Sequence, residues 1–127
     1  KWRMGMLFEK DFLELVQSKL DGVCGVFFQQ APQDAAEPFA VLSTITASGA
    51  VEVDVQRPWM QLDVYAETQF AAVGLAEAAV DAVQFHSGRT GGTLFEGVKA
   101  ERRAMIGCED GTWKVPIDIR FYCRRIR

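Results

Sequence analysis

Residues Trp59–Val83 leave this chain few folds to choose from. Met60, Leu62, Val64 and Ala66 alternate with Trp59, Gln61, Asp63 and Tyr65. A period of two marks a strand with one face buried and one face open. Thr68 is placed to cap a helix, because its hydroxyl can accept a backbone N–H that the first turn leaves unpaired. The helix predicted over 69–84 puts Ala72, Leu75, Ala76, Ala79, Val80 and Val83 on one stripe. Most of these are small, so the helix can lie close against a sheet. Pro58 opens the strand, a position where its missing N–H is tolerated.

The flanking segments extend the pattern. Phe8, Phe12, Leu15, Val16 and Leu20 recur at helical spacing over Met6–Leu20, and Gly22 suits a left-handed cap. Val23–Gln29 reads as a short buried strand, Ala31–Glu37 as a loop, and Phe39–Ala47 as a β-branched strand. Ser48-Gly49 is a turn. Beyond it Val51, Val53 and Val55 alternate with polar residues in a further strand or hairpin arm. Ser87–Thr93 holds three glycines and reads as a mobile loop. Leu94–Cys108 reads as a strand bulged near Glu101-Arg102-Arg103. Asp110-Gly111 signals a hairpin turn into Trp113–Arg124. In that strand Val115, Ile117, Ile119, Phe121 and Cys123 oppose Lys114, Pro116, Asp118, Arg120, Tyr122 and Arg124. The expected class is α+β: a mainly antiparallel sheet of four to five strands packed against two helices.

At 127 residues the chain has the length of one domain. No apolar run reaches the ~20 residues a membrane-crossing helix needs, and no secretion signal is evident. Cys24, Cys108 and Cys123 lack metal-pair spacing and read as free thiols. A zinc site would have to combine them with His86 across the chain. The net charge of −3 hides an asymmetry. Residues 1–98 hold six Lys/Arg against thirteen Asp/Glu, and residues 99–127 hold eight against four. The basic end suits an acidic partner or a solvated strand face.

Catalytic chemistry finds little support. The single histidine, His86, sits at a helix end, where it complements the dipole or is solvated. Asp63 and Asp118 lie on polar strand faces, but Arg120 and Arg124 share that side, which favours a salt-bridged surface. Gly88-Arg89-Thr90-Gly91-Gly92 lacks the spacing and the Lys-Ser/Thr pair of a phosphate loop. What remains is surface suited to other protein, since Arg, Tyr and Trp are enriched at interface anchors. Glu52, Asp54, Arg57, Trp59, Gln61, Asp63, Arg89, Arg102, Arg103, Arg120 and Arg124 are the candidate protein-interface residues. No catalytic, cofactor-binding or metal-binding residue is expected. A small ligand-binding domain is the competing class, with Trp59, Asp63 and Tyr65 able to line a site.

Val26-Phe27-Phe28-Gln29-Gln30-Ala31-Pro32-Gln33, followed by Pro38-Phe39-Ala40-Val41-Leu42, resembles the strand, loop and Pro-aromatic strand of siphophage tail terminator, or tail completion, proteins. Gln61-Leu62-Asp63-Val64-Tyr65-Ala66 before an alanine-rich helix, and the closing Val115–Phe121 strand, are similar to the same family. The resemblance implies a virion component made in the host cytoplasm, without cofactor. It implies a homohexameric ring at the head-proximal tail end, which caps the tube, stops its growth and docks the head connector. DNA would pass through the lumen without specific binding. On that reading the 48–56 arm and the 87–93 loop are the expected contacts to tail tube protein or connector. A head-completion or stopper protein, or a tube subunit, is the alternative within the same virion.

Overall fold

A computed structural model describes residues 4–47 and 55–126, with only the backbone described for residues 4–7. Helix α1 spans Met4–Lys19. Phe8, Phe12, Leu15, Val16 and Leu20 all face inward and are buried. The chain leaves the helix through Gly22, whose φ of 79° is open to glycine at little cost. Strand β1, Gly25–Phe28, then pairs in parallel with β2, Phe39–Thr46. This parallel pair makes the sheet mixed, where a mainly antiparallel one was expected. Its cause is the connection over residues 29–38, which is too long for a hairpin and brings the chain back to run in the same direction.

The remaining strands are β3 (Val55–Gln56), β4 (Trp59–Ala66), β5 (Gly88–Thr90), β6 (Thr93–Arg102), β7 (Ile106–Gly107) and β8 (Trp113–Arg125). They form one sheet in the order β1-β2-β4-β8-β6-β5, with β3 and β7 also paired to β8. The sheet is therefore mixed and larger than expected. Much of the difference lies at β5, because Ser87–Thr93 is a hairpin and not a loop. Thr90 pairs with Thr93, so Gly91-Gly92 forms a two-residue turn. Gly91 has φ of 60°, and a Cβ there would overlap the Asp11 carboxylate. Asp11 in turn accepts a 2.6 Å hydrogen bond from the Thr93 hydroxyl, which ties the hairpin to α1.

Strand β6 is bulged earlier than expected, between Glu96 and Lys99. Gly97 supplies the positive φ there, 62°. The strand ends opposite Pro116, which accepts from the Arg103 N–H at 2.8 Å but has no N–H to return. The predicted hairpin turn is present, with Cys108 N donating to Thr112 O at 2.9 Å.

Helix α2, Gln69–Val83, has the expected cap, since Thr68 Oγ1 accepts from Ala71 N at 3.1 Å. Ala72, Leu75, Ala76, Ala79 and Val83 are buried, while Val80 is only partly so. Past the helix, the Gln84 side chain donates to Ala100 O at 2.8 Å and accepts from Ala100 N at 2.9 Å. It thus mimics a strand residue and locks the helix end to β6. Both helices pack on the sheet face that carries Leu62, Ile117 and Phe121, and one cluster of buried side chains fills the space between. At its centre Phe12 stacks on Phe121 with centroids 4.5 Å apart and meets Phe95 edge-on at 5.3 Å.

Candidate functional site

The strand pair β4–β8 positions the candidate residues. Its register sets Trp59 opposite Arg120, Gln61 opposite Asp118, and Asp63 opposite Pro116. Side chains alternate across the sheet, so these lie on the face away from the helices while Met60, Leu62 and Val64 are fully buried on the other.

Asp118 organises this face. It is only 5% exposed. Its Oδ1 accepts from Trp59 Nε1 at 3.3 Å and from Gln61 Nε2 at 3.1 Å. Its Oδ2 accepts from Arg103 Nη1 at 2.7 Å. Burial pushes the Asp118 pKa up, but the hydrogen bonds from Arg103, Gln61 and Trp59 outweigh it and hold the pKa below the usual carboxylate value. The counter-ion is Arg103, not the Arg120 or Arg124 that strand parity suggested. Arg103 reaches Asp118 because β6 has left the ladder beside Pro116. Arg120 instead lays its guanidinium over the Trp59 ring, 4.4 Å from the centroid. Arg57 does the same over Tyr122 at 5.4 Å. Aromatic faces attract such cations, and the pairing holds the long side chains in place.

Asp63 is different. Its Oδ1 is buried and has no hydrogen-bond partner among the described residues. Burial raises its pKa, Lys114 opposes the rise, and Asp118 adds to it. A carboxyl whose folded pKa lies above its unfolded one loses stability as pH climbs from the unfolded value through the folded one. Asp63→Asn is therefore expected to raise the urea midpoint at pH 7 and to change it little near pH 3. A variant less stable than the parent at pH 7 would contradict this account.

Trp59, Gln61, Asp63, Arg103 and Arg120 thus share one patch, with Arg57 beside it. Arg102 lies away from the patch, 3.5 Å from Glu77 of α2 with both side chains well exposed, a pair worth little. Arg89 sits at the hairpin turn, its Nε donating to Gly91 O at 3.1 Å. Arg124 is exposed and pairs with Val55 of β3. Glu52 and Asp54 lie outside the described residues, as does most of the 48–56 arm.

His86 departs from its expected setting. Its Nε2 is buried without a hydrogen-bond partner among the described residues, and burial, then Lys19, lowers its pKa. Both effects favour the neutral ring, which interacts with a helix dipole less than a cation would. The three cysteines are free. Burial pushes the Cys123 thiol up to about 12. Among the described residues no group of three or more His, Cys, Asp or Glu is arranged to hold a metal ion.

Two shallow grooves flank the patch. One of about 430 Å³ is lined by Arg57, Pro58, Trp59, Lys99, Arg120 and Tyr122. The other, about 550 Å³, lies at the opposite end of the strand pair, beside Glu37, Phe39, Tyr65, Glu109 and Asp110. Sequence patterning missed two exposed aromatics at the ends of α2, Phe70 at 90% and Phe85 at 76% exposure. Phe85 has φ of 63°, at a place after a helix where glycine is usual. That mismatch of residue and position is the signal that was available.

A family model described as tail completion protein gp17 matches residues 16–123. No curated protein matches the chain. Among solved structures, a chain from the virion of a native gene transfer agent particle superposes with a TM-score of 0.63 at 15% identity, covering 86% of this chain and 84% of that one. A second solved chain gives a TM-score of 0.58 at 16% identity, covering 94% and 92%. At these identities the likeness establishes the fold. The family match runs from α1 to the last strand, and on it the chain belongs to the tail completion protein gp17 family, as a phage tail structural protein.

Proposed function

We propose that this protein caps the phage tail tube as a homohexameric ring, ends tube polymerisation and forms the surface on which the head docks. The observation that carries the reading is the open face of β4 and β8 in a member of a tail completion family. There Asp118, Trp59, Arg103 and Arg120 are held in place by one another, and the grooves beside them among the described residues are shallow and open. Preorganised Arg and Trp side chains without an enclosed pocket suit a protein partner. Asp63, whose pKa burial raises in the isolated chain, suits a surface whose cationic partner arrives on assembly.

The partners on this reading are further copies of the chain, the tail tube protein and the head connector or stopper protein. The protein sits in the virion at the head-proximal tail end after assembly in the host cytoplasm. DNA passes the lumen without specific contact, which an acidic chain favours because basic contacts generate nonspecific DNA affinity.

Light scattering of the protein alone and with purified tail tubes, followed by imaging, tests the reading. A six-fold ring, or a cap at one tube end, is the expected result. A monomer that leaves tubes uncapped and binds filled, tailless heads would overturn it in favour of a head-completion role. The β5–β6 turn supplies a finer prediction. Arg89 is exposed there on an edge strand, the kind of edge proteins use for pairing. Arg89→Glu is expected to leave the ring intact and to lower head–tail joining in vitro by roughly tenfold. Unchanged joining would remove the turn from the contact.

A further inference from the structure

The two ends of the β4–β8 pair carry charge of opposite sign. Strand β4 begins at Trp59 and ends at Ala66. Its length separates the two ends by about 23 Å at the usual rise per residue. Beyond Ala66 stand Glu67, then Phe70 in the first turn of α2, and alongside them Glu109 and Asp110 of the β7–β8 turn and Glu37 of the β1–β2 loop. Burial, then Glu67 and Asp110, raise the Glu37 pKa, so these carboxylates feel one another. Lys114, the nearest base on β8, acts on Asp63.

The other end is basic. Arg57, Lys99 and Arg120 line the groove with Pro58, Trp59 and Tyr122. None of the three is in an ion pair with a carboxylate among the described residues. Phe85 stands beside Lys99 and Arg120, on a neighbouring shallow surface that also includes Glu101 and Asp118, the latter already paired with Arg103. Its ring is held outward by backbone bonds on either side: Phe85 N donates to Val98 O at 2.8 Å, and Val98 N to His86 O at 3.3 Å. The charged side chains lining the groove are all basic and those lining the opposite groove are all acidic, and each end has an exposed phenylalanine nearby. Such faces cannot pair with themselves, since like charges would meet, but each fits the other on a second copy. A contact between two different faces is head-to-tail, and head-to-tail contacts close into rings when the rotation permits.

We infer that the acidic end around Glu67, Glu109 and Phe70 docks onto the basic groove around Lys99, Arg120 and Phe85 of a second copy of this chain. The inference rests on the ring reading above and specifies which faces build the ring.

The test uses two doubly reversed variants of the full chain, one with Glu67→Lys and Glu109→Lys, the other with Lys99→Glu and Arg120→Glu. All four side chains are exposed, and unchanged melting curves confirm folding. Asp110 is left alone because it closes its turn by accepting from Thr112. Assembly is read by light scattering and imaging, alone and on purified tubes. Each variant by itself is expected to associate at least about a hundredfold more weakly than the parent. The 1:1 mixture, and the chain carrying all four changes, are expected to recover, because every contact then again joins opposite charges. Folded variants that still form rings overturn the inference and leave the ring reading standing. A mixture that stays monomeric also overturns it. A parent chain that forms neither ring nor cap removes the ring reading, and this inference with it.

Discussion

Replacing Phe12 with alanine is expected to lower stability by about 4 kcal/mol. The side chain is fully buried, and it is the point where α1 meets both β6 and β8 through Phe95 and Phe121. Removing the ring leaves a cavity bounded by two other rings and by Phe8, which itself meets Phe121 edge-on at 6.1 Å. These neighbours are anchored in different elements, so they cannot collapse together to fill the gap. Urea titration should show a lower midpoint at unchanged slope. A loss below about 1 kcal/mol would mean that the aromatic cluster is not close-packed. Phe70→Ala gives the contrast: at 90% exposure it should stay within about 0.5 kcal/mol of the parent.

Asp118→Ala is expected to cost about 3 kcal/mol. The change strands Arg103, Gln61 and Trp59 at once, two of them on a neighbouring strand. Asp118→Asn keeps the shape but loses the charge, and should cost less. The pH dependence follows from the depressed pKa of the carboxylate. Such a group contributes stability that is fully present above the unfolded value, near 3.9, and is lost as pH falls through the lower folded value. Stability of the parent should therefore drop in strong acid, and the Asn variant should show a shallower drop. Equal acid sensitivity in both proteins would mean that Asp118 is not the group that titrates.

The parts of the fold legible in the sequence are those with one unambiguous local signal. The alternation from Trp59 to Ala66, the Thr68 cap and the small-residue stripe of α2 each admit one reading, and β4 and α2 lie where expected. Gly91-Gly92 admitted two. Consecutive glycines mean flexibility in a linker and a tight turn between strands, and only the pairing of Arg89 with Leu94 decides for the turn. The parallel β1–β2 pair was beyond reach because strand direction depends on where a loop returns, which residue types do not record. In the site, parity placed Trp59, Gln61, Asp63 and Asp118 on one face correctly. The partner of Asp118 was not readable, because Arg103 joins the patch only after Pro116 ends the β6 ladder. The two ends of opposite charge do not follow the halves of the sequence, since Glu109 and Asp110 lie in the basic half and Arg57 in the acidic one. Glu37, Glu67 and Glu109 come from three separate connections, and only the sheet brings them together.

Strand β8 follows every other element in chain order, yet it lies inside the sheet and pairs with β3, β4, β6 and β7. During synthesis, then, the ribosome has made both helices and seven strands before the strand that joins them exists. The halves β1-β2-β4 and β6-β5 have no common edge until β8 is released to fill the space between them. Long-range pairing of this kind is slow compared with local helix formation. A chain lacking β8 has no closed core and no Arg120, so the face built on β4 and β8 does not form. The two halves of the sheet therefore depend on one strand that neither of them supplies.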